Sequence, residues 1–394
     1  MQNSFLSLII VVVFLLFACG QNTTQERNEG LFDISVTNPS ADSLKQYGID
    51  VDLVRVEGDF HLMQGDKEIP VQIEDRNSNG NPDKMYALID LAPGTTTNLV
   101  ALPGKGAALP LGVRLHANLS DGTEVQGNHL VNFEEKWAGN GIVIENAWIG
   151  YRALMAPPYA FDVIGKRKPE MLDSPIQTDL EKVSDWGGDA LDEALSLGIG
   201  SPAIFDLESI VPLSKYDSKE INILESGPLR AEVDITIKGV PVRSEKIDVL
   251  IKWQMQADKH WAQIDFSILS KTDLTLQFAF GLPKHEESTD FTQGLIDDVH
   301  FAYTYGLQSS EGEQLGMAIL VPGRFEVDTY RDDPHNYFYL VEPIDRAVQY
   351  RIMSAWGKGR LLIFDEIEFL NLIRKYTAEY GAKVTVEPHF RLTD

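Results

Sequence analysis

Cysteine is almost absent. The 394-residue chain has one, Cys19. No disulfide framework, cysteine-ligated zinc or cysteine nucleophile can exist in the body of such a chain. Cations are scarce as well: Lys and Arg number 34 against 59 Asp and Glu, a formal net charge of −25. That balance argues against nucleic acid, which is held by clustered Lys and Arg, and against a broad polybasic membrane surface. It leaves room for an anionic sugar bound in a local Arg/Lys pocket. The apolar run Phe5 to Phe17 is too short to span a bilayer comfortably. Gly-x-Ser-x-Gly, a phosphate-binding Walker loop, a dinucleotide fingerprint and His-Glu-x-x-His are all missing. What remains is acid/base chemistry by carboxylates, Tyr, Lys or His, or binding alone.

The short apolar run ends in Leu16-Phe17-Ala18-Cys19-Gly20. This resembles the lipobox of bacterial lipoprotein signal peptides. The resemblance implies cleavage before Cys19 and lipidation of that residue. Acyl chains, at about 0.8 kcal/mol per buried CH2, then anchor the protein without a membrane-spanning helix. The organisation expected is a lipoprotein signal peptide over 1–18, a polar tether over 19–30 and a single large domain over 31–394. The membrane partner is reached through the lipid anchor at the outer membrane, in the periplasm or on the cell surface. An ordinary or uncleaved signal peptide is the alternative.

After the tether, alternating apolar and polar residues recur between turn signals every 8 to 15 residues. Phe32 to Val36, Ile49 to Val56, Met85 to Leu91, Leu229 to Lys238, Lys246 to Gln256, Trp261 to Ile268, Leu315 to Val321 and Val348 to Trp356 read as strands. The expected class is all-β: a large antiparallel β-sandwich of galactose-mutarotase-like supersandwich type, with one C-terminal helix. Asp365 caps that helix, Ile367, Leu370, Ile373 and Tyr376/Thr377 form its face, and Gly381 ends it.

Two polar stretches stand out. Asp75, Asn77, Asn79 and Asp83 place oxygen side chains at alternate positions around Gly80. This suits either a small Ca2+ loop or an Asn/Gly-rich turn; Tyr86 stands where an EF-hand would need Glu. Glu145 to Ser201 reads as the least strand-like part of the chain and gathers Glu145, Tyr151, Arg152, Asp162, Lys166, Asp185 and Trp186. Arg presents a planar fork that matches a carboxylate, either of a uronic acid or of Glu145 or Asp162 within the protein. Trp186 offers a face for a sugar ring or a core anchor, and Asp189 and Asp192 read as a solvated face. His335 and Tyr337 sit where a loop enters a strand, a position suited either to proton transfer or to a backbone-bonding His.

Taken in order, Glu145-Asn146, Gly150-Tyr151-Arg152, Asp162, Gly165-Lys166, Asp185-Trp186-Gly187, Ser196 to Gly200, Glu225 to Arg230, Thr304-Tyr305-Gly306, Leu315 to Ala318, His335-Asn336-Tyr337 and Ala355-Trp356 form a specific series. The series resembles the bacterial domain of unknown function 4861. That family looks typical of secreted or lipid-anchored Bacteroidetes proteins encoded among pectin- and uronate-degrading enzymes. The resemblance implies a protein of polysaccharide degradation acting on acidic oligosaccharides, as a dehydratase or lyase that makes an unsaturated sugar. Arg152 or Lys166 would hold the carboxylate, His335 and Tyr337 would transfer protons, and Glu145, Tyr151, Asp162, Asp185 and Trp186 would bind and orient. Relatives often carry Tyr-His shortly before Asp-Trp-Gly, where this chain has Thr178-Asp179-Leu180-Glu181. A non-catalytic carbohydrate-binding lipoprotein and a glycoside hydrolase using Glu145 and Asp185 are the competing readings.

Overall fold

The long alternating strands assemble into a central nine-stranded antiparallel sheet. Its order is Thr292–Ile296, Val299–Leu307, Gln314–Pro322, Ala347–Trp356, Trp261–Ile268, Glu245–Gln256, Arg230–Val242, Ser218–Ser226 and Asn128–Val131. The computed structural model describes residues 30–391 apart from 78, 157–158, 173–178, 192–194, 329–330 and the side chain of Arg331. The expected signal peptide, Cys19 and nearly all of the tether lie outside the described residues. Among those described, no helix is long and apolar enough to cross a membrane.

Period-two patterning gives the central sheet two different faces. Ile247, Val249, Ile251, Trp253 and Met255 point inward, while Lys246, Asp248, Lys252 and Gln254 point outward. The inner face packs on two smaller sheets. In one, Phe161 of Phe161–Lys166 lies 5.2 Å from Trp253. In the other, Phe278 and Phe280 of Gln277–Pro283 stack on Phe266 and Tyr350 at 4.5 and 3.9 Å. The all-β sandwich expected from the sequence is therefore the observed class.

The stretch Glu145 to Ser201 corrects the sequence reading. Gly141–Asn146, Ile149–Leu154, Phe161–Lys166 and Gly187–Asp189 are strands of one antiparallel sheet. Every residue of the first three strands is buried, so neither face meets solvent and the period-two signal vanishes. One face joins the sandwich core. The other, with Val143 and Ile164, is roofed by Leu172, Leu180 and Trp186 from the following loop.

The helix expected at the C-terminus spans Glu366–Tyr380. Asp365 accepts the Glu368 N–H at 2.8 Å, and Gly381 follows the last turn. Its buried face is Phe369, Leu372, Ile373 and Tyr376, whereas Ile367 is 68% exposed, so the apolar stripe is rotated from the expected one. Phe369 needs a hole in the sheet. Gly316 supplies it, since a Cβ there would stand 2.6 Å from the ring.

A second core forms at the N-terminus from Phe32, Ile34, Val36, Ile49, Phe60, Leu62, Met85, Ile89 and Leu99. The last strand, Thr385–Phe390, pairs with Phe32–Asn38 and closes this unit. Buried charge joins it to the central sheet: Arg230 meets Asp50 at 2.7 Å and Glu74 at 2.6 Å, and Arg76 meets Glu232 at 2.7 Å. Gln72 adds its side-chain carbonyl to this seam, accepting the Leu229 and Arg230 N–H groups at 2.8 and 3.0 Å.

Glu225 stands at this seam with too few cations to share. Burial, then the neighbouring Glu74, push its carboxyl up to about 7. In the unfolded chain a Glu titrates near about 4.3. Its ionised form therefore opposes folding fully above about pH 7 and not at all below about pH 4. Glu225→Gln is expected to raise the urea midpoint at about pH 8 and leave it unchanged at about pH 4. Denaturation curves at the two pH values check the sign, and an equal shift at both would refute this assignment.

Candidate functional site

The residues singled out from Glu145 to Asp189 do meet, but as two buried ionic clusters rather than as an open cleft. Arg152 is 1% exposed and is bound by Asp162, by Asp189 and by Glu181 at 2.7 Å. Burial opposes its charge, yet the three carboxylates raise its pKa above the ordinary range. Asp189, expected on a solvated face, is one of these buried partners; Asp192 lies outside the described residues. Glu181 also accepts from Asn140 at 2.9 Å.

Lys166 and Glu145 form the second cluster, both fully buried. Glu145 further accepts from the Leu172 N–H at 2.6 Å and lies 2.9 Å from His116 Nε2. Burial pushes its carboxyl up, but the His116 hydrogen bond and the Lys166 ammonium hold it below the usual range. Tyr151 is 0% exposed and donates to the His260 carbonyl at 2.5 Å. Trp186 caps Lys166 at 5.0 Å and donates to the Glu170 carbonyl at 2.8 Å, while Asp185 is exposed at the rim. The groups that would grip a substrate carboxylate are already engaged internally. Arg152, Lys166, Glu145, Asp162 and Tyr151 thus hold the fold together.

His335 and Tyr337 lie elsewhere, on the sheet containing Asn336–Val341. His335 is exposed, its N–H donating to Asp333 Oδ1 at 2.8 Å. Tyr337 is half-buried with Lys284 4.8 Å over its ring. The residue between them has the structural role. Asn336 Oδ1 accepts the Leu197 N–H at 2.8 Å and ties the glycine-rich turn at 196–200 to this sheet. At the Asn-rich loop, Asp75 accepts the Asn79 and Gly80 amides, and Asp83 accepts the Asn77 amide at 3.0 Å. These bonds close the turn from within. Among the described residues no group of three or more His, Cys, Asp or Glu converges on a metal-binding position.

A cavity of about 660 Å3 opens on the outer face of the central sheet. Cross-strand rows furnish its floor. Glu232, Gln254, Gln263 and Arg351 stand side by side on four neighbouring strands, with Arg230 and Gln256 in the row before and Asp234, Lys252, Asp265 and Gln349 in the row after. The N-terminal unit supplies one wall through Tyr47, Gly48, Asp50 and Tyr86; the end of the helix supplies the other through Glu379 and Tyr380. Gly48 permits the first approach, because a Cβ there would collide with the Tyr86 hydroxyl at 2.0 Å. That hydroxyl donates to Gln256 Oε1 at 2.7 Å.

Arg351 is the unusual group. Its guanidinium carbon lies 3.8 Å from the Trp261 ring and 4.0 Å from the Tyr380 ring, so it is sandwiched between two aromatic faces. It is 8% exposed, and its Nε and Nη1 are shielded from solvent with no hydrogen-bond partner among the described residues. Its one carboxylate there, Glu379 at 3.5 Å, is bound more closely by Lys259 at 2.6 Å. Four cations, Arg230, Arg324, Arg351 and Lys383, line the cavity against three carboxylates, Asp50, Asp298 and Glu379. Arg230 and Lys383 are paired there with Asp50 and Asp298, and Glu232 of the floor row adds a fourth carboxylate, so Arg351 is the cation held least by carboxylates. In the next row burial raises the carboxyls of Asp234 and Asp265 above their ordinary range. No sequence motif marks these residues; the outward-facing Gln and Arg on otherwise apolar strands were the signal available.

The buried clusters carry a stability test. Arg152→Met strands Asp162 and Asp189 without their cation and is expected to cost about 3–5 kcal/mol. Asp185→Asn, at the exposed rim, is expected to stay within about 0.5 kcal/mol. Chemical denaturation of both variants checks the contrast.

Known structures place the architecture. A protein in the glycosyl hydrolase family 38 from Enterococcus faecalis superposes with a TM-score of 0.50 at 11% identity, over 92% of this chain and 48% of that one. An alpha-mannosidase from Enterococcus faecalis V583 superposes with a TM-score of 0.50 at 9% identity, over 93% and 47%. The chain spans about half the length of these proteins, and at such identities the likeness is one of fold. No curated protein sequence matches the chain. The model of the domain of unknown function DUF4861 matches residues 36–386, nearly the whole chain, and the protein belongs to that family.

Proposed function

We propose that the protein binds uronic-acid-containing oligosaccharides in the outer-face cavity and acts there as a dehydratase or lyase that leaves an unsaturated sugar. Arg351 carries this reading. A guanidinium with donors unused, between two aromatic rings and beside a floor of glutamines, matches a sugar acid: carboxylate on the cation, ring faces on Trp261 and Tyr380, hydroxyls on Gln254, Gln263 and Gln349. The roles expected of Arg152 and Lys166 pass to Arg351, and those of Glu145 and Asp162 to the cavity's own polar rows. Elimination next to a carboxylate also needs a proton donor for the leaving oxygen. Asp265, one row from Arg351 and with its carboxyl pushed up by burial, is the acid nearest that role. Secretion and lipid anchoring through Cys19 would place this activity where polysaccharide fragments are met.

A glycoside hydrolase built on Glu145 and Asp185 is disfavoured, since Glu145 is enclosed by His116, Lys166 and the Leu172 amide while Asp185 faces solvent. A non-catalytic sugar binder would use the same cavity and differs only in turnover.

Isothermal titration with acidic fragments of pectin, ulvan and glucuronan, alongside their carboxyl-reduced analogues, tests recognition. Loss of a charge-assisted contact is worth about 1.5–3 kcal/mol. Arg351→Gln should therefore weaken acidic ligands roughly 10- to 150-fold and leave the reduced analogues unaffected. Wild-type protein that binds none of the acidic fragments would remove the proposal. Binding with no rise in the ultraviolet absorbance of a conjugated unsaturated uronate would reduce it to the binding protein.

A further inference from the structure

On the opposite side of the central sheet, Lys219 is an isolated buried amine. It belongs to the strand Ser218–Ser226 and pairs across to Ile237, pointing into the apolar core rather than toward the cavity described above. It is 3% exposed and makes no ion pair or hydrogen bond among the described residues. Its Nζ lies 4.1 Å from the centre of the Tyr159 ring and 5.0 Å from that of Tyr216. Phe133, 64% exposed, stacks on Tyr216 at 5.2 Å and extends the aromatic wall to the surface. The amine lines a cavity of about 40 Å3 whose other walls include Met155, Phe161, Leu213, Ile235 and Ile251. A recess of that size admits only a few heavy atoms.

A lysine in a stable core normally finds a carboxylate or reaches water. Lys166 and Lys259 of this protein do the first, with Glu145 and Glu379. Lys219 has no carboxylate among the described residues, and desolvation alone pulls its pKa down to about 7. About half of it is then the free amine at neutral pH, against less than about 0.1% for an ordinary lysine. An amine that is desolvated, unpaired and facing a small apolar cavity has the attributes of a carbonyl nucleophile.

We propose that Lys219 is a covalent carbonyl site, forming a Schiff base with a small aliphatic aldehyde or ketone held in the cavity beside Tyr159. The Nζ lone pair attacks the carbonyl carbon as the C=O π pair moves to oxygen. A first proton passes from nitrogen to that oxygen to give the carbinolamine, a second follows it from nitrogen to the same oxygen, the C–O bond breaks, and water leaves as C=N forms. No oxidant or reductant takes part. The apolar walls favour the aliphatic chain, and the two phenol faces stabilise the iminium that follows protonation. Charged sugar acids are excluded here, because among the described residues no cation besides the reacting amine faces the cavity. The site is therefore independent of the proposed oligosaccharide reading and stands or falls without it.

Reductive trapping of the full folded chain provides the test. The protein is incubated with propanal and cyanoborohydride between about pH 6 and pH 9, and modified lysines are located by peptide mass spectrometry. Lys219 should be labelled about tenfold or more faster than exposed lysines at about pH 7, with a rate that levels off above its own pKa instead of climbing as theirs do. Lys219→Arg should lose the fast-labelled peptide while keeping the wild-type circular dichroism spectrum. Labelling no faster than at surface lysines, or labelling that accelerates in step with added denaturant, would overturn the proposal. Both criteria are read on wild-type protein, so they hold even if the variant fails to fold.

Discussion

The cavity on the outer face exists because two separately packed cores are held at a fixed spacing, and Arg230 fixes it. This residue begins a strand of the central sheet and reaches Asp50 and Glu74 on two strands of the N-terminal unit. Gln72 binds the backbone of the same corner from across the gap. Apolar contact alone would have closed the seam. A charged seam keeps Tyr47, Gly48 and Tyr86 as a wall opposite the helix end instead of letting them collapse onto the sheet. Ions buried in this way need partners at both ends, which makes the spacing specific and intolerant of change.

With that wall in place, the two faces of the central sheet divide the chemistry. The inner face is mainly apolar, with Lys219 as a buried exception, and welds the sandwich. The outer face changes along the sheet: over one half, Phe301, Tyr303, Ala318, Leu320, Met353 and Ala355 receive the helix; over the other, Gln254, Gln263, Gln349 and Arg351 stay polar beneath the cavity. One strand, Ala347–Trp356, serves both, turning from Gln349 and Arg351 to Met353 and Ala355 within two pairs of residues. The position of the helix end, and so of Tyr380 over Arg351, follows directly from that switch.

The alternation of polar and apolar residues made the long strands, the all-β class and the capped helix legible, because each buries one face and leaves the other wet. Gly141–Asn146, Ile149–Leu154 and Phe161–Lys166 were hidden for the complementary reason: covered on both faces, they lose the alternation, and their charged residues looked like a polar loop. Clustering in sequence was correct in one sense, since Arg152 with Asp162 and Lys166 with Glu145 do meet. It misled about what the meeting is for. A cation beside carboxylates in the sequence is already neutralised by them in space, whereas Arg351 is separated by 28 positions from Glu379, and the aromatic Trp261 lies 90 positions before it. No local pattern could reveal that sandwich.

Three buried arginines allow the difference between a structural and a ligand-binding cation to be argued on one scale. Each has lost water, and each must recover that loss from neighbours. Arg152 does so with Asp162, Asp189 and Glu181; Arg230 with Asp50, Glu74 and, at 3.6 Å, Glu232. Those carboxylates raise both pKa values above the ordinary arginine range against the opposing effect of burial. Arg351 has one carboxylate at 3.5 Å, shared with Lys259, and otherwise only ring faces among the described residues. Aromatic rings attract a cation without occupying its N–H donors in the guanidinium plane. They hold the group in place and leave its directional bonding unused, which is the condition a recognising arginine must meet and a bracing one must not.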